Sequence, residues 1–160
     1  MDTRTSPFHL RLTRVRDVLS QSGVDALLMG RKTFDLVCSF PGEWPYGARP
    51  VYVLTRSPSN RQKQDKPGAR IEFVQGEPAK ILEAIQARGI KRIYVDGGET
   101  IRLFLKAGLV SEMTLTRVPV LIGRGVPLFG DLDRDVQLQL QSVKSYPSGL
   151  LQTRYRVMPS

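Results

Sequence analysis

Apolar positions along this chain change period several times, and each change marks an element. Leu12, Val15, Val18 and Leu19 recur at helical spacing against Arg11, Arg14, Arg16 and Asp17, with Thr13 as a cap and Gly23 as a stop. Val24-Asp-Ala-Leu-Leu-Met-Gly30 is a short apolar run suited to a buried strand, and Arg31-Lys-Thr-Phe-Asp-Leu-Val37 opens a short helix. Residues 38–50, rich in proline and glycine, read as a surface loop carrying Trp44 and Tyr46. Pro50-Val-Tyr-Val-Leu-Thr-Arg56 is strand-like, and Ile71, Phe73 and Val74 mark a further strand. Gly76-Glu-Pro-Ala starts a helix with Pro78 in its first turn, Ile81, Leu82 and Ile85 as its apolar stripe and Gly89 at its end. Arg92-Ile-Tyr-Val-Asp96 has the β-branched and aromatic residues of a buried strand. Gly97 and Gly98 then turn the chain into a helix over Ile101, Phe104 and Leu105, stopped by Gly108.

Past Gly108 helical spacing disappears. Met113 to Ile122 is rich in Val, Leu, Ile and Thr, and Gly123-Arg-Gly-Val-Pro-Leu-Phe129 breaks it with a turn that glycine permits, Leu128 and Phe129 being expected inside. Asp135 to Val143 alternates over Val136, Leu138 and Leu140, the pattern of a half-buried strand. Tyr146-Pro-Ser-Gly149 supplies turn chemistry before Leu150 to Val157 alternates again, which predicts a hairpin. Residues 70–96 read as a right-handed βαβ unit. The whole predicts an α/β fold whose sheet is mixed, mostly parallel at first and antiparallel at its end.

Composition narrows this picture. A chain of 160 residues with 41% hydrophobic and 24% charged content suits one folded domain, residues 1–160, without internal repeats or linkers. No apolar run reaches the roughly 20 residues of a membrane span, and the first residues lack the apolar core of a secretory signal, so a cytoplasmic protein is expected. One cysteine, Cys38, and one histidine, His9, make neither a disulfide nor a usual zinc site, so no metal is expected. The net charge of +9 raises nucleic acid as a partner. Yet the cations are spread along the chain, and the densest stretch, Arg56 to Arg70, has the composition of a solvated loop. A small phosphorylated ligand is served by the same charge.

Three predicted strand ends carry anion-friendly residues. Gly30-Arg-Lys-Thr33 combines a helix start with two cations and a hydroxyl; Thr55-Arg56-Ser57 adds hydroxyls and a guanidinium; Gly97-Gly-Glu-Thr-Ile101 opens a helix whose free N–H groups favour a phosphate. In an open α/β sheet, ligands bind along the carboxyl edge of the strands. Together these stretches point to a cofactor site. Trp44 is open to two readings, a lid packed on the core or a wall of a substrate pocket. Asp35 and Glu99 lie near the expected site and read as solvated or helix-capping acids.

Four stretches, in order, resemble the dihydrofolate reductase-like superfamily, nearest to the bacterial proteins related to the reductase domain of the riboflavin-biosynthesis deaminase–reductase. They are residues 24–34, 51–56, 94–99 and 108–129, and they span most of residues 24–157. The resemblance implies a three-layer fold, a central sheet flanked by helices with a C-terminal antiparallel hairpin. It implies NADPH-dependent hydride transfer to a small pterin-, pyrimidine- or flavin-like heterocycle, and a homodimer. It places Gly30, Arg31, Lys32, Thr33 and Gly97, Gly98, Glu99, Thr100, Ile101 at the cofactor phosphates, and Thr55, Arg56 and Ser57 beside the adenosine ribose. Arg56, with Arg31 as the other candidate, would then pair with the 2′-phosphate. Family members open with a longer strand ending in Ser-x-Asp-Gly, for which Pro7-Phe-His-Leu-Arg-Leu12 is a short counterpart. The first strand is therefore expected to be missing or shortened, and no catalytic residue is assigned. An NADPH-binding module without activity is the alternative from another class.

Overall fold

The computed structural model describes residues 23–57, 68–121, 123–125 and 127–159. The helix expected over residues 12–19, the counterpart of the first strand at Pro7–Leu12, most of the polar loop after Ser57, and Ile122 and Val126 lie outside them. The chain divides into two compact units, parted in sequence between Thr100 and Ile101.

The first unit is built on four parallel strands: β1 (Ala26–Gly30), β2 (Pro50–Leu54), β3 (Arg70–Val74) and β4 (Ile93–Asp96), in the order β3-β2-β1-β4. Ala26 to Met29 have no solvent exposure, because β1 is central and covered on both faces. Alternation sorts the neighbouring side chains. Leu27, Met29, Val51 and Val53 form one cluster with Phe34 and Val37 of helix α1 (Arg31–Ser39). Tyr52 and Val74 turn the other way and share a groove with Ile81 and Ile85 of α2 (Pro78–Gln86). This unit is thus three layers deep. Pro78 begins α2 without cost, since the first helical N–H has no partner to lose.

The βαβ unit expected over residues 70–96 has its three parts, but its strands are not neighbours. The crossover through α2 steps past β2 and β1 to put β4 against β1, with Leu27 opposite Tyr94 and Met29 opposite Asp96. Asp25 ties the entrance of this pair: its Oδ2 accepts the N–H groups of Lys91 and Arg92, both at 2.9 Å. The loop after α1 also departs from expectation. Trp44, Pro45 and Tyr46 are buried, because the aromatic rings complete the cluster around Phe34.

A third helix, α3 (Gly98–Lys106), runs across the dividing point, and Gly108 with φ +67° ends its last turn. The second unit holds an antiparallel sheet of β5 (Glu112–Arg117), β6 (Leu138–Ser145) and β7 (Leu151–Val157), in the order β5-β7-β6. The expected hairpin is β6–β7, closed by Tyr146 N–H to Leu150 O and Gly149 N–H to Tyr146 O, with a bulge between Leu140 and Ser142. The expected mixed sheet is found as one parallel and one antiparallel sheet, since helical crossovers and tight turns feed different ladders. Two burial expectations fail here. β6 alternates as predicted yet is exposed throughout, with Leu140 53% and Val143 56% accessible. Leu128 is likewise exposed, Phe129 only half-buried. Alternation tells which residues share a face, not whether anything covers it.

Candidate functional site

From β1 the chain moves outward through β2 to β3 and then returns to β4 on the opposite side, so the strand order reverses between β1 and β4. At such a reversal the connections leave the carboxyl edge in opposite directions and open a crevice, the usual ligand position in a parallel sheet. β1 ends there in Gly30, and Gly97 follows directly on the end of β4. Gly30 caps α1 with ordinary extended backbone, φ −74° and ψ 156°, and Arg31, Lys32 and Thr33 form the first turn. Gly97, with φ +90°, turns β4 into α3, a conformation that only glycine adopts cheaply. Gly98, Glu99 and Thr100 form the first turn of α3, with Ile101 next. Two helix starts, whose first N–H groups have no intrahelical partner, therefore stand side by side.

The turns also interlock. A Cβ on Gly30 would lie 2.9 Å from Thr100 Oγ1, and a Cβ on Gly97 would collide with Thr33 Oγ1. Thr100 is 2% exposed.

The third strand end is next in line, because Gly30 pairs in register with Leu54. Thr55 donates its N–H to Val74 O at 3.0 Å, and Ser57 donates its N–H to Thr55 Oγ1 at 3.3 Å, so the two hydroxyl residues form a small turn. Arg56 is exposed. Arg31 is held firmly: its Nε donates to both Asp35 oxygens at 2.8 and 2.9 Å, and its guanidinium lies 5.4 Å above the Phe73 ring. Lys32 and Glu99 are exposed, Glu99 where the dipole of α3 favours an acid.

Trp44 packs edge-on against Phe34 and Tyr46, with ring centroids 6.2 and 5.0 Å away, and is 8% exposed. Of its two readings, the packed one describes its position.

Sequence reasoning passed over Asp96, which ends β4 beside the glycines. It shares a face with Tyr94, two residues earlier, and both phenols of Tyr94 and Tyr46 feel its charge. Burial pushes the Asp96 carboxyl up from its ordinary value, while the Gly97 N–H, 2.8 Å from Oδ1, pulls it part of the way back. Burial, then Asp96, pushes the Tyr94 phenol up to about 12, and the same causes raise Tyr46 further. The signal available earlier was an acid at strand spacing from an aromatic, with a glycine turn next to it.

Parallel strands, a strand-order reversal and paired glycine turns describe an α/β protein. Residues 13–152 match the family described as the RibD C-terminal domain, and the chain belongs to it. The match runs through both compact units. A candidate riboflavin biosynthesis protein from Shewanella sp. PV-4 is 34% identical and superposes with a TM-score of 0.77, over 99% of this chain and 83% of that one. A pyrimidine reductase-like protein from Corynebacterium diphtheriae shares the fold at 22% identity and a TM-score of 0.65, over 86% and 77% of the two chains. The deaminase/reductase of Thermotoga maritima does so at 13% identity and 0.66, this chain covering 50% of its length. Among curated sequences, the uncharacterized protein YwjB of Bacillus subtilis is 29% identical over 124 residues, 77% of this chain and 68% of that one. The fold is therefore that of the riboflavin-pathway reductases. Among the described residues no helix is long and apolar enough to cross a membrane.

Proposed function

We propose that this chain is an NADPH-dependent reductase that transfers a hydride to a small heterocycle of the pterin, pyrimidine or flavin kind. The observation that carries the reading is the alignment of three strand ends, β2, β1 and β4, along one carboxyl edge at a strand-order reversal. A dinucleotide is long enough to use all three. Its diphosphate suits the paired turns at Gly30–Thr33 and Gly97–Ile101, where two helices begin with N–H groups that have no intrahelical partner. Its adenosine ribose suits Thr55, Arg56 and Ser57. The reductase names of the fold relatives point the same way.

The cofactor supplies the hydride, and the protein has to orient the two partners and manage one proton. Asp96 is suited to that proton. Its raised affinity keeps a proton available at higher pH than an ordinary aspartate, for delivery to a substrate nitrogen as the adjacent carbon receives the hydride. Arg31 is better prepared for the 2′-phosphate than Arg56, since Asp35 and Phe73 already hold its guanidinium.

Titration of the full chain with NADPH and NADH, followed by nucleotide fluorescence, tests the reading. Tight binding selective for NADPH is expected. Binding of neither nucleotide overturns it, and binding without oxidation by any pterin, pyrimidine or flavin acceptor assigns the chain to a binding module instead.

A further inference from the structure

Gly30 needs no glycine on conformational grounds. Its φ of −74° and ψ of 156° are available to any residue. What forbids a side chain there is Thr100, whose Oγ1 occupies the space 2.9 Å from where the Cβ would be. Thr100 belongs to the first turn of the other helix, and it cannot step aside, being 2% exposed and β-branched. The arrangement is mutual, because Thr33 of α1 blocks Gly97 in the same way. Each helix start thus sends the side chain of its third residue into the gap left by the other's glycine.

From this geometry we infer that Thr33 and Thr100 are positioning residues, a reciprocal latch that sets the separation of the two phosphate-binding turns and makes them one site. The inference rests on the NADPH reading, and it gives Thr100 a part different from touching phosphate. A diphosphate bridging both helix starts needs their N–H groups at a set distance, and a rigid buried spacer supplies that distance before the ligand arrives, so none of the binding energy is spent on ordering it. Sequence spacing alone could not show this, because the two partners of each contact lie more than sixty residues apart.

The latch makes a prediction that phosphate contact does not. Gly30→Ala overfills the gap and Thr100→Ala empties it, so each should weaken NADPH binding about tenfold or more. In the double variant the new methyl at position 30 takes the place that the threonine side chain leaves. Affinity should return to within about threefold of the wild type, and the thermal midpoint should recover in parallel. If Thr100 acts by hydrogen-bonding phosphate, the double variant is at least as weak as the worse single, and the latch is overturned. Recovery of the thermal midpoint without recovery of affinity also overturns it, leaving only packing. Should Gly30→Ala fail to fold, a folded double variant with near wild-type affinity supports the latch, and two unfolded variants refute it. A wild-type chain that binds neither nucleotide is a different failure, that of the reductase reading, and removes the latch's role with it.

Discussion

The two arginines near the expected adenosine end allow the cofactor reading to be tested by selectivity. Arg31 is one-quarter exposed, bonded through Nε to Asp35 and stacked on Phe73. Most of its rotamer freedom is already gone. Hydrogen bonds between charged groups contribute about 1.5–3 kcal/mol, so losing such a contact to the 2′-phosphate by Arg31→Gln should weaken NADPH about 10- to 150-fold. NADH, which lacks that phosphate, should change by less than about threefold. Arg56 is exposed, and pairing it would cost up to about 2 kcal/mol of side-chain entropy, close to what an exposed pair returns. Arg56→Gln should therefore weaken NADPH by less than about fivefold. The assay is a pair of fluorescence titrations for each variant at fixed ionic strength, since exposed charges are screened by salt. A larger loss from Arg56→Gln than from Arg31→Gln would refute the reasoning from preorganisation. An equal loss for NADPH and NADH would refute the placement of Arg31 at the 2′-phosphate.

Other residues make sharper demands on stability. Asp96 binds its proton more tightly when folded, so its contribution is full below the ordinary aspartate value near ~4 and is lost as pH rises through its raised folded value. Asp96→Asn should thus raise the thermal midpoint at neutral pH and flatten its fall with pH, while lowering turnover; unchanged pH dependence would show that Asp96 is not the group responsible. Asp25 runs the opposite way, because the N–H groups of Arg92 and Lys91 hold its carboxyl below the usual range. Its stabilisation is present above about pH 4 and fades as pH falls through the lowered value, so Asp25→Ala should lower the midpoint at pH 7 and lose less on acidification than the wild type. Phe34, 1% exposed between Trp44 and Phe73, should cost about 3–5 kcal/mol when cut to alanine, measured by urea unfolding. A loss under 1 kcal/mol would mean that the cluster over β1 and β2 is not close-packed.

Local chemistry in this chain is legible from the residues themselves. Gly30 before Arg-Lys-Thr marks the end of β1 and the start of α1, and Gly97-Gly98 marks the same passage from β4 to α3, because a turn's backbone demands and a helix's apolar spacing are written within a few residues. The strands and helices of residues 24–106 follow that grammar closely. So does the β6–β7 hairpin, where Tyr146-Pro-Ser-Gly149 supplies a turn and Gly149 its φ of +77°. The anion-friendly strand ends could be named for the same reason.

Tertiary structure alone decided which of these pieces meet. The crossover past β2 and β1 brings Met29 opposite Asp96 and creates the reversal of strand order, and no residue in α2 announces how many strands it will pass. Trp44 and Tyr46 entered the core although their loop reads as surface, since aromatic rings went where Phe34 left apolar area to cover. The perturbation of Asp96, the hold on Arg31 by Phe73 and the interlock of Thr100 with Gly30 all depend on contacts across long stretches of chain. The sequence by itself determined the elements and the chemistry at their ends, because backbone preference and side-chain period are local. Burial, electrostatics and the shape of the site belong to the fold, because they depend on neighbours that the chain brings in from elsewhere.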